Sequence, residues 1–114
     1  MIAVLFELEA LPGQAEAYLA QAAALQSVLA EQEGLISVER FQSLGRPGRY
    51  LSLSLWRDEA AVARWRQQMD HRAAQRQGRG QLFADYRLRV AQVLRDYGLH
   101  DRAQAPQDSR HALG

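Results

Sequence analysis

Three side chains in this 114-residue chain, His71, Trp65 and Tyr86, are of types that could carry a reaction. An imidazole exchanges a proton near neutral pH, an indole walls an apolar pocket, and a phenol donates a hydrogen bond to an oxyanion. His71 is the one histidine inside the expected fold; His100 and His111 lie at or beyond its end. On a helix it stands about 120° round from Trp65. Two readings of His71 stay open: a general base for a phenolic or ring proton, or a boundary imidazole bonded to a carboxylate. Trp65 heads an apolar stripe at helical spacing and reads first as core, which does not prevent it from walling a pocket. Tyr86 alternates with Arg87 along a strand-like run, in step with Leu88 and Val90, so its ring is expected inside. Arg87 could bind a carboxylate, although such arginines more often face solvent or an interface.

Composition removes many chemistries. The chain has no cysteine, lysine, asparagine or threonine. Thiol nucleophiles, thiolate metal sites, disulfides, Schiff-base lysines and Walker-type phosphate loops are therefore excluded. Neither a histidine–carboxylate metal spacing, nor a serine elbow, nor a dinucleotide fingerprint is present. No run approaches the ~20 apolar residues of a membrane helix, and Met1 leads straight into a strand-like run. A cytoplasmic location is expected. The net charge of +1 hides a basic second half: residues 64–95 hold eight arginines against Asp70 and Asp85. Those arginines are split between a helix flank and a strand and lack an aromatic stacking platform, so nucleic acid is not the expected partner.

The elements follow from periodicity and punctuation. Residues 2–9 read as a strand, with a turn at Leu11-Pro12-Gly13. A helix is expected over 14–33 and stopped by Gly34. A second strand covers 35–44, and a loop at Gly45-Arg46-Pro47-Gly48 leads to a third over 49–56. Asp58 is placed to cap a helix running from about Glu59 to about Gln77, stopped by Gly78, with Val62, Trp65, Met69 and Ala73 as its stripe. A last strand lies within 82–95. In the third strand Leu51, Leu53 and Leu55 are expected to face the helices. Tyr50 and Trp56 then fall on the opposite face. The order β-α-β-β-α-β is the split βαβ, or ferredoxin-like, α+β arrangement: a four-stranded antiparallel sheet with two helices on one face. Two such sheets packed face to face would cover the other face, which predicts a homodimer with Trp56 and Tyr50 in its interface. Residues 1–98 form the domain; 99–114 are a polar tail, or an arm that docks on the partner.

Four stretches carry a resemblance to a known family: IAVLFELEALPG, EGLISVERFQS, LSLSLWRDEAAVARW and HRAAQRQGRGQLFADYRLRVAQVLRDYG. Together they span about residues 1–98, and the strand-to-helix stretch from Trp56 to Trp65 is the most specific. On these the chain resembles the antibiotic biosynthesis monooxygenase (ABM) domain family, whose members form dimeric α+β barrels.

The resemblance implies either of two chemistries, and fold alone does not choose between them. One branch is similar to oxygenases without a cofactor that oxidise phenolic or quinol-type aromatics, the deprotonated substrate itself activating oxygen. There His71, Trp65 and Tyr86 would be the catalytic set, with Phe6, Trp56 and Arg87 binding a small aromatic ligand. The other branch binds and degrades haem through a strand asparagine, a helix tryptophan and a later histidine. Trp65 matches that tryptophan. Phe6 stands where the asparagine belongs, and the ligand histidine falls near Gln75, four residues past His71. A dimer that binds a small molecule without turning it over is the third reading.

Overall fold

Ile2, Val4, Phe6 and Leu8 alternate with Ala3, Leu5, Glu7 and Glu9, and that period of two makes Ile2–Ala10 the first strand, β1. In this computed structural model residues 1–75 and 82–113 are described, with the backbone alone for 73–75 and 113. Helix α1 spans Ala15–Ala30 and buries Tyr18, Ala22 and Leu29. Strands β2 (Leu35–Gln42) and β3 (Arg49–Trp56) follow, then helix α2 (Glu59–Gln75), strand β4 (Phe83–Gln92) and a short helix α3 (Gln107–Leu113). The expected stop at Gly78 lies outside the described residues. The strands form one sheet in the order β2-β3-β1-β4, every neighbouring pair antiparallel. This is the expected ferredoxin-like fold.

Two glycines shape the turns on either side of α1. Gly13, at φ 79°, turns the chain from β1 into α1. Gly34, at φ 89°, does the same between α1 and β2, and its carbonyl accepts the Arg57 N–H at 2.7 Å. Asp58 caps α2 as expected: its Oδ1 accepts the Ala61 N–H at 2.9 Å. That backbone hydrogen bond, and then the Arg57 side chain, hold the Asp58 carboxyl below the ordinary aspartate value.

The faces of β3 are the reverse of the expectation. Trp56 is fully buried with Ile2, Leu29, Ala61 and Val62, and Tyr50 is buried with Leu8, Tyr18 and Ala22. Both therefore lie beneath the helices and not at a sheet-to-sheet interface. The register explains it. Ile2 is opposite Trp56 and Leu8 opposite Tyr50, so the apolar row of β1 and the aromatic row of β3 share one face. The leucines fall on the other side with Ala3, Leu5, Glu7 and Glu9. Trp56 keeps its polar atom satisfied there, Nε1 donating to Ser54 Oγ at 2.8 Å.

The open face divides in two. At one end Ala3, Leu5, Leu53, Leu55 and Ala91 are opposite one another across the strands. At the other end Glu7 bridges Arg49 at 2.9 Å and Arg89 at 3.2 Å, and Glu9 pairs with Arg46 at 2.6 Å.

Candidate active site

The helix side of the sheet is unevenly covered, and the gap is where a ligand can sit. Across β3, β1 and β4 the side chains run in rows: Trp56–Ile2–Gln92, Ser54–Val4–Val90, Ser52–Phe6–Leu88 and Tyr50–Leu8–Tyr86. The first two members of each row sink to buried or half-buried positions. The β4 members do not: Tyr86, Leu88 and Val90 are 62%, 52% and 47% exposed. Helix α2 packs on the core through Ala61, Val62 and Trp65, and further along only Met69 and Arg72 are half-buried among the described side chains. On the helix side the β4 strip thus stands open to solvent, next to half-buried Val4 and Phe6 of β1. At the sheet's end a cavity of about 360 Å³ is lined by Ile2, Asp58, Glu59, Val90 and Gln92, among others.

The residues singled out in the sequence divide over this geometry. Trp65 stacks its ring at 6.3 Å from that of Trp56, which places it at the top of the core. Tyr86 lies 5.6 Å ring to ring from Phe6 and 6.4 Å from Phe83. Its ring is solvent-facing and not buried as the alternation suggested, because no helix residue covers it among those described. Phe6, Trp65 and Tyr86 therefore share the helix side. Trp56 is 0% exposed and supports Trp65 from beneath. Arg87 is opposite Glu7 and points to the open face, away from the other five. His71 is an exposed residue of α2, beyond Trp65 on the same helix.

Arg40 was not singled out, yet it stands on the helix side. Its Nε donates to the Tyr18 hydroxyl at 3.0 Å, with the guanidinium 5.7 Å from the ring centre. A lone arginine in a strand of mixed polarity carries no sequence signal for that bond. The haem pattern is not matched by the side chains present: Phe6, in the place of the strand asparagine, uses its ring against Phe83 and Tyr86. Among the described residues no group of three histidine or acidic side chains could hold a metal.

Comparison with known proteins agrees with the fold. The family model described as antibiotic biosynthesis monooxygenase matches residues 1–77. A jasmonate monooxygenase of Pyricularia oryzae is 47% identical over 93 residues, which is 82% of this chain and 43% of that protein. The chain thus spans less than half the length of that relative. Among solved structures, Rv0793 from Mycobacterium tuberculosis superposes with a TM-score of 0.71 at 18% identity, covering 85% of this chain and 98% of that one. A mutant of MhuD with two manganese protoporphyrin IX molecules per active site gives 0.69 at 15% identity, covering 86% and 99%. At such identities the two structures speak for the fold. With the fold, the strand-to-helix stretch and the family match in agreement, this chain belongs to the antibiotic biosynthesis monooxygenase family.

Proposed function

We propose that the protein is a monooxygenase that needs no cofactor and oxidises a phenolic or quinol-type aromatic on the open β4 strip of its helix side. The observation that carries this reading is the uncovered strip Tyr86–Leu88–Val90 beside Phe6. It offers a flat apolar ring a surface to lie on and a phenol to meet an oxygen anion. The redox balance closes on the substrate alone. For an anthrone-type methylene, two C–H bonds break and a C=O bond forms. One oxygen atom of O₂ enters the ketone, and the other leaves as water with the two hydrogens. His71 takes the first proton, Trp65 and Phe6 hold the ring, and Tyr86 donates to the oxyanion.

The 47% identity with a jasmonate monooxygenase favours a second substrate class, a small oxo acid of the jasmonate type. Hydroxylating such a C–H bond with O₂ also consumes two electrons, so that reaction needs a reductant such as a reduced nicotinamide. Two copies packed across the open sheet face, in the cytoplasm, complete the proposal. A chain free of cysteine suits that compartment. Among the described residues no helix is long and apolar enough to cross a membrane.

Oxygen uptake decides between these readings. Uptake with a hydroquinone or anthrone, without added reductant, supports the first. Uptake with a jasmonate-type acid only when reduced nicotinamide is supplied selects the second. Saturable binding without uptake makes the protein a binding module. A Soret shift on haemin titration, lost in His71→Ala, would replace both oxygenase readings with the haem branch.

A further inference from the structure

A polar seam crosses the helix side of the sheet. The core there falls into two clusters, one around Trp56 and Leu29 and one around Tyr18 and Tyr50. Between them runs the row Arg40–Ser52–Phe6–Leu88, one residue from each strand. Leu25 of α1, half-buried between Ala22 and Leu29, belongs to neither cluster. Ser52 is half-buried on an inner strand. Its hydroxyl meets no hydrogen-bond partner among the described residues, yet solvent reaches it. The seam is therefore open as far as Ser52.

Arg40 is the one charge the strands put into this seam. Their acids Glu7, Glu9, Glu39 and Asp85 fall on the open face, and so do Arg49, Arg87 and Arg89. Arg40 is half-buried, and among the described residues no carboxylate pairs with it. A partly desolvated cation without a counter-ion favours an anion brought to it. The geometry suits a carboxylate. Nε already donates to the Tyr18 hydroxyl at 3.0 Å, which orients the guanidinium and leaves its two terminal nitrogens as a parallel fork for two oxygens. The Tyr18 hydroxyl accepts that bond, and its own hydrogen has no acceptor among the described residues. The same ligand can take it. Ser52, opposite Arg40, offers a third donor. Three strand spacings, about 14 Å, separate Arg40 from Leu88 along the row. Once the length of the arginine is taken off, a compact ring on the β4 strip with a short chain to its carboxylate spans the rest.

We infer that Arg40 is the specificity-determining residue for an organic acid, its fork holding the substrate carboxylate beside the Tyr18 hydroxyl while the apolar body lies over Phe6 and Leu88. This rests on the oxo-acid reading above and adds which group of the acid the protein holds. The probes are a pentyl-substituted oxocyclopentane acetic acid and its methyl ester, which differ only in the charge at the carboxyl end. Calorimetry reads the affinity of both for wild type, Arg40→Met and Arg40→Lys, with circular dichroism to verify the fold. Wild type is expected to bind the acid at least tenfold more tightly than the ester. Arg40→Met should lose at least tenfold for the acid and less than twofold for the ester. Arg40→Lys keeps the charge without the fork, so it should fall between the two, and it decides the matter if Arg40→Met does not fold. A wild type that binds neither probe would overturn the oxo-acid reading and this inference with it. Equal affinity for acid and ester would overturn the carboxylate anchor alone. A preference for the acid that persists unchanged in a folded Arg40 variant would overturn the role of Arg40.

Discussion

Replacing Gly34 by alanine tests whether the junction between α1, β2 and α2 is as tight as the geometry requires. Two effects combine there. Gly34 sits at φ 89°, where a side chain costs about 1–2 kcal/mol. A β-carbon added to it would lie 2.6 Å from the Ala61 β-carbon, and forcing extra volume into a packed site costs about 1–3 kcal/mol. The clash is with a helix held by the Asp58 cap, so relief means shifting the first turn of α2. The sum, about 2–5 kcal/mol, is a large share of the roughly 5–15 kcal/mol that keeps a domain folded. At about 4 °C per kcal/mol for a chain of this size, Tm falls by about 8–20 °C. Gly13→Ala is the internal control. Gly13 has a similar φ, 79°, with nothing within 4 Å of the added carbon, so it should lose only the backbone part, about 4–8 °C. Differential scanning calorimetry on both variants reads the difference. Equal losses would refute the packing argument, and a loss under about 2 °C in both would refute the backbone argument as well.

Trp56→Ala should cost about 3–5 kcal/mol in urea unfolding, since the indole is fully buried, and Trp56→Phe less than half of that. Tyr86→Ala should leave Tm within a few degrees, because the ring is 62% exposed, while turnover of a quinol substrate drops at least tenfold; loss of stability with unchanged turnover would remove Tyr86 from the site. The Asp58 carboxyl titrates below its ordinary value when folded. Its contribution is therefore full above the unfolded pKa of about 3.9 and disappears as pH falls through the lower folded value. Stability measured from pH 5 down to pH 2 should fall less steeply in Asp58→Asn than in wild type, and parallel curves would contradict the assignment.

Much of the fold was legible because local and long-range signals agreed. β3 begins and ends where its alternation and flanking glycine and aspartate predict. Asp58 performs the cap its type suggests, whereas α1 ends at Ala30, short of the expected stop, and Gly34 instead makes the turn into β2. The faces of β3 were harder. Alternation separates Leu51, Leu53 and Leu55 from Tyr50 and Trp56 but does not say which row meets a helix, and the leucine row is the more apolar. The deciding information was in β1, where Glu7 and Glu9 share a face with Leu5 and so leave Ile2 and Leu8 for the core. The serine two residues before Trp56 was a further signal, since a buried indole needs an acceptor on its own face. Helix α3 falls within the stretch expected to be a polar tail, yet Pro106 followed by Asp108 is a helix-start pattern. The site itself was legible only as residue types. That Phe6, Trp65 and Tyr86 share one side depends on pairing between residues some eighty positions apart, which no local pattern encodes.

The place of β1 in the sheet has a consequence for how the chain is made. The first strand synthesised lies between β3 and β4. One of its edges finds a partner once residue 56 is available, but the other waits for residues 83–92. A nascent chain can thus assemble β2, β3 and β1 beneath α1 while the far edge of β1, with the backbone groups of a nine-residue strand, stays unpaired. Such an edge is open to wrong partners, and the long wait slows closure of the sheet. Translation speed across the α2 region therefore sets how long that edge is at risk, and yield in a cell should respond to codon choice there more than to codon choice in β4.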